Sequence, residues 1–136
     1  MKKKSLAAVL GLALAGALAL VGCKSNASAV KAPVITAEEA KAMMDKGNVT
    51  VVDVRTAEEY AGAHIPGAIL VPLDSIAEGQ MPEALPDKDA TLLIYCRSGR
   101  RSNIAANTLA ATGYTAVYDF GGINDWPYDT VEGETP

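Results

Sequence analysis

From residue 33 onward, short apolar runs alternate with longer stretches whose apolar residues recur at helical spacing. Thr36-Ala37-Glu38-Glu39 has the form of a helix capping box, and helical stretches stop at Gly47 and Gly113. Five runs have the length and composition of strands: 34–36, 49–54, 68–70, 91–95 and 115–118. Strands that alternate with helices predict an α/β fold, here one domain with a central, mostly parallel five-stranded sheet flanked by helices.

The start of the chain has a different pattern. Three lysines follow Met1, and an apolar segment from Leu6 to Val21 leads into Gly22-Cys23. This layout is typical of a secretory signal peptide, and the segment is short for a transmembrane helix, which needs about 20 apolar residues. Leu20-Val21-Gly22-Cys23 resembles a bacterial lipobox, which implies that Cys23 is lipidated and begins the mature chain. The alternatives are an ordinary signal peptide cut nearby and an uncleaved anchor.

We therefore expect a signal peptide over residues 1–22, a lipidated Cys23 with a flexible tether over 23–32, the domain over 33–131, and an acidic tail over 132–136. Such a protein would be exported and anchored by lipid to the bacterial cell membrane, on its periplasmic or extracellular face. Loss of the three N-terminal lysines would change the formal net charge from −4 to −7. A domain this acidic is a poor partner for nucleic acid, so we expect no such partner.

The most informative stretch is the run 91–95 together with the residues that follow it. Cys96 comes directly after the predicted strand, and a polar segment then leads into the helix that ends at Gly113: Arg97, Ser98, Gly99, Arg100 and Arg101. A thiol there lies at the carboxyl end of a strand, where ligands bind in α/β folds, and at a helix N-terminus. Free N–H groups, the helix dipole and three arginines each favour the thiolate. We therefore expect Cys96 to be a nucleophile with a lowered pKa, in a loop that binds anions.

The counts of cysteine and histidine restrict other chemistry. The chain has two cysteines, and if Cys23 is lipidated, no disulfide can form within the chain and Cys96 is the free thiol. The single histidine, His64, has no cluster of cysteines or further histidines with which to hold a metal. We therefore expect neither a metal nor another cofactor.

The loop from Cys96 to Arg101 resembles the active-site loop of a single-domain rhodanese, a sulfurtransferase that carries sulfur as a cysteine persulfide. The resemblance covers roughly residues 33–130 and includes three further motifs: Asp53-Val54-Arg55 with Glu59, His64-Ile65-Pro66-Gly67-Ala68, and Gly121-Gly122 followed by Trp126. It implies the rhodanese-like α/β fold, Cys96 as the catalytic residue, and residues 97–101 as the substrate-binding loop.

The same motifs imply supporting roles for residues outside the loop. Arg55 and Glu59 are four residues apart, so we expect them to pair across one helical turn and to stabilise the loop. We expect Asp53 to accept hydrogen bonds from the Cys96 loop, His64 to bond to backbone, and Trp126 to pack beside the loop. The alternatives are a general-base role of Asp53, a nucleophile–histidine couple, and stacking of substrate on Trp126.

The resemblance implies transfer of sulfur from a small anionic donor, thiosulfate or polysulfide, to a thiol, to cyanide or to a protein acceptor. One alternative is a non-catalytic persulfide carrier or sulfide-binding module. Another is a cysteine phosphatase or arsenate reductase, whose loops place an arginine at the seventh position counted from the cysteine. Here the seventh position is Ser102 and Arg101 is sixth. A loop that is one residue shorter suits a sulfur atom better than a tetrahedral oxyanion.

Overall fold

Four strands form one parallel sheet in the computed structural model, which describes residues 30–136. The strands are β1 (Val49–Asp53), β2 (Ile69–Leu70), β3 (Thr91–Cys96) and β4 (Ala116–Gly122), in the spatial order β2-β1-β3-β4. The helices are α1 (Ala37–Lys46), α2 (Ala57–Gly62) and α3 (Arg100–Thr112), with 3-10 turns at Leu73–Ser75 and Ile123–Asp125. The predicted α/β fold, with a parallel sheet flanked by helices, is confirmed.

The prediction of a fifth strand over residues 34–36 is wrong. This segment forms only an isolated bridge to Asp119 of β4. The N–H of Ile35 donates to the carbonyl of Asp119 over 2.9 Å, and the N–H of Asp119 donates to the carbonyl of Pro33 over 3.0 Å. Pro33 has no N–H with which to extend the ladder, and Thr36 already caps α1 in the predicted capping box. The segment between them is therefore long enough for one bridge and too short for a strand.

β3 lies in the middle of the sheet, between β1 and β4. Its side chains alternate between the two faces of the sheet, as the two-residue period of a strand requires. Leu92, Ile94 and Cys96 pack with α3 on one face, whereas Leu93 and Tyr95 pack with α1 and α2 on the other. All five side chains are almost fully buried. The carboxyl end of β3 is therefore held in place by packing on both sides.

The connection from β3 to α3 is only three residues long, residues 97–99. Gly99 makes this tight connection possible because its φ of 102° lies in the left-handed region that favours glycine. The N–H groups of the first turn of α3, which have no carbonyl partner within the helix, therefore lie directly after Cys96 in the chain. α3 ends at Thr112 with Gly113 as its C-cap, the glycine that the sequence predicts as the stop.

The chain after β4 returns to the end of α2. Val131 and His64 form an antiparallel bridge with an N–H···O distance of 2.8 Å in each direction, and the N–H of Gly133 donates to the carbonyl of Ala61 over 2.9 Å. The residues predicted as an acidic tail, 132–136, are therefore attached to the domain, at Gly133 and also at Thr135, whose carbonyl oxygen lies 2.9 Å from Nε2 of His64.

The predicted signal peptide, Cys23 and the tether as far as residue 29 lie outside the described residues. Among residues 30–136, no helix has both the length and the apolar character needed to cross a membrane.

Candidate active site

Cys96 ends β3 at the carboxyl edge of the sheet, and its side chain is only 1% exposed. Its neighbour in the sheet is Gly122 of β4. A Cβ at Gly122 would lie 2.1 Å from the carbonyl oxygen of Arg97, so no side chain fits at this position. The N–H of Asn124 donates to the same carbonyl over 3.2 Å. The loop therefore closes directly against the end of β4, and Cys96 is almost completely enclosed.

Hydrogen bonds within the loop stabilise the thiolate form of Cys96. The N–H of Gly99 donates to the sulfur over 3.0 Å, and the hydroxyl oxygen of Ser102 lies 3.5 Å from the sulfur. Burial, the largest single effect, raises the pKa of Cys96. Hydrogen bonds from the Ser102 hydroxyl and from the N–H groups of Ser102, Gly99 and Ser98 together outweigh burial and lower this pKa below its ordinary value. Cys96 therefore ionises more readily than an ordinary cysteine, as a nucleophile requires.

Ser102 is a site residue that sequence reasoning missed. Its side chain is fully buried in the first turn of α3. Its hydroxyl oxygen lies 3.0 Å from the carbonyl of Gly99 and 3.3 Å from that of Gly121, as well as 3.5 Å from the sulfur. A hydroxyl carries one proton, so it can donate to only one of these three acceptors at a time. A sequence signal did exist, because Ser102 is a polar residue on the helix face whose later positions, Ala105 and Ala106, are apolar.

The three arginines of the loop have different surroundings. Arg97 and Arg100 are exposed, and neither forms an ion pair within residues 30–136. Arg101 forms a bidentate ion pair with Glu59, with distances of 2.8 Å from Nη1 to Oε1 and 2.9 Å from Nη2 to Oε2. Water screens the two exposed charges, and Glu59 neutralises the third. The arginines therefore contribute less to the lowered pKa of Cys96 than we expected, and the hydrogen bonds contribute more.

The prediction that Arg55 pairs with Glu59 is wrong. α2 begins at Ala57 after its N-cap Thr56, so Arg55 precedes the helix and the four-residue spacing does not bring the two side chains together. Arg55 instead pairs with Asp53, with distances of 2.7 Å from Nη2 to Oδ2 and 3.0 Å from Nε to Oδ1.

The Asp53–Arg55 pair is buried, with exposed fractions of 0% and 5%. Burial, the largest single effect, lowers the pKa of Arg55, but the hydrogen bond and the charge of Asp53 raise it above its ordinary value.

The prediction that Asp53 accepts hydrogen bonds from the Cys96 loop is also wrong. Among the described residues, the hydrogen bonds to its carboxylate all come from Arg55, from the backbone N–H, Nε and Nη2. The effect of Asp53 on the Cys96 loop is therefore indirect.

Glu59 connects α2 to the first turn of α3. The hydrogen bond from Arg101, the largest effect, lowers the pKa of Glu59 to about 2. The hydroxyl of Thr56 also donates to Oε1 of Glu59 over 3.2 Å. Glu59 in turn raises the pKa of Arg101, and the negative charge of Cys96 adds to this effect. α2 is therefore linked to the loop by the pair of Glu59 with Arg101, and not by the expected pair of Glu59 with Arg55.

His64 and Trp126 lie in the packing on the α1 and α2 side of the sheet. His64 is fully buried, and its ring nitrogens lie 2.8 Å from the carbonyl of Tyr60 and 2.9 Å from that of Thr135. Trp126 is 9% exposed, packs against Phe120 with ring centroids 5.6 Å apart, and belongs to the core cluster on the face opposite Cys96. The described contacts of both residues are therefore structural.

Two cavities differ in their relation to the loop. A cavity of about 480 Å³ has Trp126, Tyr128 and Ile65 in its lining, and no residue of the Cys96 loop lines it. A smaller one of about 80 Å³ lies between Arg55 and Arg101. Within residues 30–136 there is no group of three or more histidines, cysteines or acidic residues that could hold a metal ion.

Comparison with known proteins places this fold and loop in a family. Residues 36–128 match the Rhodanese-like domain family, and the chain belongs to that family. The chain is 40% identical over 82 residues to the thiosulfate sulfurtransferase PspE of Escherichia coli, which covers 60% of this chain and 78% of that protein. It is 38% identical over 91 residues to the thiosulfate:glutathione sulfurtransferase of Saccharomyces cerevisiae, covering 58% of this chain and 65% of that protein.

A solved structure described as a rhodanese with anions from Escherichia coli is 39% identical to this chain, with a TM-score of 0.56. The match covers 62% of this chain and 98% of that structure. Relatives that are named as sulfurtransferases support sulfur transfer as the activity of this family. That activity implies a donor and an acceptor of sulfur, without specifying either molecule.

Proposed function

We propose that this chain is itself a sulfurtransferase that receives a sulfane sulfur atom on Cys96 from an anionic donor and passes it to a thiophilic acceptor. The observation that carries this proposal is the environment of the sulfur. Cys96 has a lowered pKa, it accepts a hydrogen bond from the N–H of Gly99, and it is 1% exposed. A thiolate in such a position suits attack on the terminal sulfur of a small donor.

The proposed reaction has two steps. The Cys96 thiolate attacks the outer sulfur of thiosulfate or a polysulfide, the sulfur–sulfur bond of the donor breaks, and the leaving group departs with the bonding electron pair. With thiosulfate the leaving group is sulfite. An acceptor, either cyanide or a thiolate, then attacks the outer sulfur of the Cys96 persulfide. The sulfur–sulfur bond breaks again and the Cys96 thiolate is restored, so no external oxidant or reductant is needed.

The loop residues divide into two groups in this proposal. N–H groups at the start of α3 would hold the negative charge of the thiolate and then of the persulfide, as oxyanion-hole donors do in other enzymes. The exposed Arg97 and Arg100 would attract the donor and stabilise the departing anion. No cofactor takes part in either step.

The test uses the full chain with thiosulfate as donor. Incubation without acceptor should add one sulfur atom to the intact mass, on the peptide that contains Cys96. Cyanide should then remove this sulfur and form thiocyanate. Cys23→Ser is the matched control because it removes the other cysteine, and it should retain both steps, whereas Cys96→Ser should lose them. Thiocyanate formation that survives Cys96→Ser would contradict the proposal. A persulfide that forms without steady thiocyanate turnover would favour the carrier function instead.

We also propose that the mature protein is exported and anchored to the cell membrane through a lipidated Cys23, with residues 1–22 removed as a signal peptide. The support is the lipobox-like sequence at the end of the apolar segment. The N-terminal peptide of the native protein should carry the mass of acyl chains, and Cys23→Ser should release the protein from membranes or leave it uncleaved. A native N-terminal peptide without acyl chains would contradict this proposal, as would unchanged membrane attachment of a Cys23→Ser protein that has lost residues 1–22.

A further inference from the structure

The charges around the Cys96 loop are unequally balanced. Four arginines follow the carboxyl ends of β1 and β3, and two of them are neutralised by carboxylates: Arg55 by Asp53 and Arg101 by Glu59. The other two, Arg97 and Arg100, are exposed and have no ion-pair partner among residues 30–136. The cationic charge available to a donor is therefore that of two arginines, although the sequence of the loop contains three.

The neutralised arginine lies in the first turn of α3, directly after the Cys96 loop. Arg101 lies one residue before Ser102, whose hydroxyl oxygen is 3.5 Å from the sulfur. The negative charge of Cys96 also raises the pKa of Arg101, so the two groups are electrostatically coupled. A charged donor at the sulfur would experience the same coupling. Glu59, held to Arg101 by two hydrogen bonds, contributes a charge of opposite sign at nearly the same place.

We propose that Glu59 determines which donor charge the loop prefers: by neutralising Arg101, it lowers the preference for a dianionic sulfane donor over a monoanionic one. Glu59 acts through Arg101 and touches no substrate, so it is a positioning residue. This inference rests on the proposed sulfurtransferase function and concerns the selectivity of the same site.

Thiosulfate and methanethiosulfonate are a matched pair of donors for this test. Both present a terminal sulfur on a tetrahedral sulfonyl sulfur, and they differ in that a methyl group replaces one charged oxygen. Attack by the Cys96 thiolate gives the same persulfide from both, with sulfite leaving from the first and methanesulfinate from the second. The difference between the two donors at the reacting sulfur is therefore largely one unit of negative charge.

The measured quantity is the ratio of kcat/KM for thiosulfate to kcat/KM for methanethiosulfonate, with cyanide as acceptor. Glu59→Gln adds one net positive charge near the loop, and the ratio should rise roughly fivefold, as expected for charges several ångströms apart at a protein surface. Arg101→Gln removes one positive charge and should lower the ratio by a similar factor. The double variant restores the net charge, so its ratio should return to within about twofold of the wild-type value even if both rates fall.

Glu58→Gln is the control for the charge change alone. Glu58 lies on the same helix, is exposed, and forms no ion pair among the described residues. It should change the ratio by less than about twofold, since an exposed charge is screened. Loss of loop structure would lower both rates together and leave the ratio unchanged, so the ratio separates a charge effect from a structural one.

Two outcomes would overturn the inference while the proposed function stands. One is an unchanged ratio in both single variants with Cys96-dependent thiocyanate formation retained. The other is a change in Glu58→Gln as large as that in Glu59→Gln. If one single variant fails to fold, the other still tests the sign of the effect. If no form of the protein makes Cys96-dependent thiocyanate, the proposed function itself fails, which is a distinguishable result.

Discussion

The hydroxyl oxygen of Ser102 lies 3.5 Å from the sulfur of Cys96, and both side chains are buried beneath the loop that joins β3 to α3. In the thiol form, the S–H can donate to this oxygen while the hydroxyl donates to the carbonyl of Gly99. In the thiolate form, the hydroxyl can turn and donate to the sulfur instead. The single proton of Ser102 thus has a different best acceptor in each ionisation state.

We predict that Ser102→Ala raises the pKa of Cys96, because it removes a hydrogen bond that favours the thiolate. The pH at which alkylation of Cys96 by iodoacetamide reaches half its maximal rate should therefore move upward. At a pH below both pKa values the rate should fall roughly tenfold, as expected for the loss of a charge-assisted hydrogen bond of about 1.5 kcal/mol. The measurement is the rate of alkylation as a function of pH, in a Cys23→Ser background so that only one thiol reacts.

Ser98→Ala is the matched control for this prediction. Ser98 contributes its backbone N–H to the thiolate, and its side chain is exposed, so the substitution keeps the relevant donor. The pH profile of Ser98→Ala should stay close to that of the parent. An unchanged profile in Ser102→Ala would mean that backbone N–H groups alone stabilise the thiolate.

Gly122 provides the second prediction. Its φ of −120° suits any residue, so the cost of a side chain comes only from contact. A Cβ there would lie 2.1 Å from the carbonyl oxygen of Arg97 and 2.6 Å from the Cα of Ser98, and both are backbone atoms. Gly122→Ala should therefore displace the loop, lower persulfide formation at least tenfold, and reduce the free energy of unfolding by about 1–3 kcal/mol.

Gly62→Ala is the control for Gly122→Ala, because a Cβ at Gly62 meets no atom within 4 Å and its φ is not in the left-handed region. It should change the free energy of unfolding by less than about 0.5 kcal/mol and leave persulfide formation unchanged. Normal persulfide formation by Gly122→Ala would show that the loop tolerates a shift away from β4.

Local sequence patterns predicted the parts of this domain that depend on local interactions. The apolar run that leads into Cys96 and the glycine at position 113 were sufficient to predict β3 and the end of α3. The ion pairs could not be predicted in this way. Whether Glu59 meets Arg55 or Arg101 depends on where α2 begins and how it lies against α3, and neither follows from spacing along the chain.

The strand predicted over residues 34–36 shows a similar limit of local sequence patterns. Residues 34–36 have strand composition, yet Pro33 has no N–H to donate and Thr36 is itself the N-cap of α1. Ser102 shows the limit at the site itself. Its contact with Cys96 depends on α3 beginning at Arg100, directly after the loop, and the apolar pattern of the helix does not fix that starting residue.

The third prediction concerns the buried Asp53–Arg55 pair. Arg55→Met removes the cation and leaves the fully buried carboxylate of Asp53 without its ion-pair partner. Breaking a buried pair from one side typically costs about 3–5 kcal/mol, so this variant should be strongly destabilised. The pair of Glu59 with Arg101 should remain intact, since neither residue contacts Arg55 through a hydrogen bond. The measurement is the urea concentration at the midpoint of unfolding, monitored by circular dichroism. The variants should share one slope of unfolding free energy against urea concentration.

Two further variants show whether Arg55→Met is destabilised by the loss of a charge or by the loss of a side chain. Asp53→Asn combined with Arg55→Met removes both charges, and it should be less destabilised than Arg55→Met alone because no uncompensated carboxylate remains. Arg100→Met removes an exposed arginine without an ion-pair partner among the described residues and should cost less than about 0.5 kcal/mol. If the double variant is at least as unstable as the single one, then Arg55 stabilises the domain mainly through its packing on Tyr95 and its hydrogen bond to the carbonyl of Ala63. The ion pair would in that case contribute little.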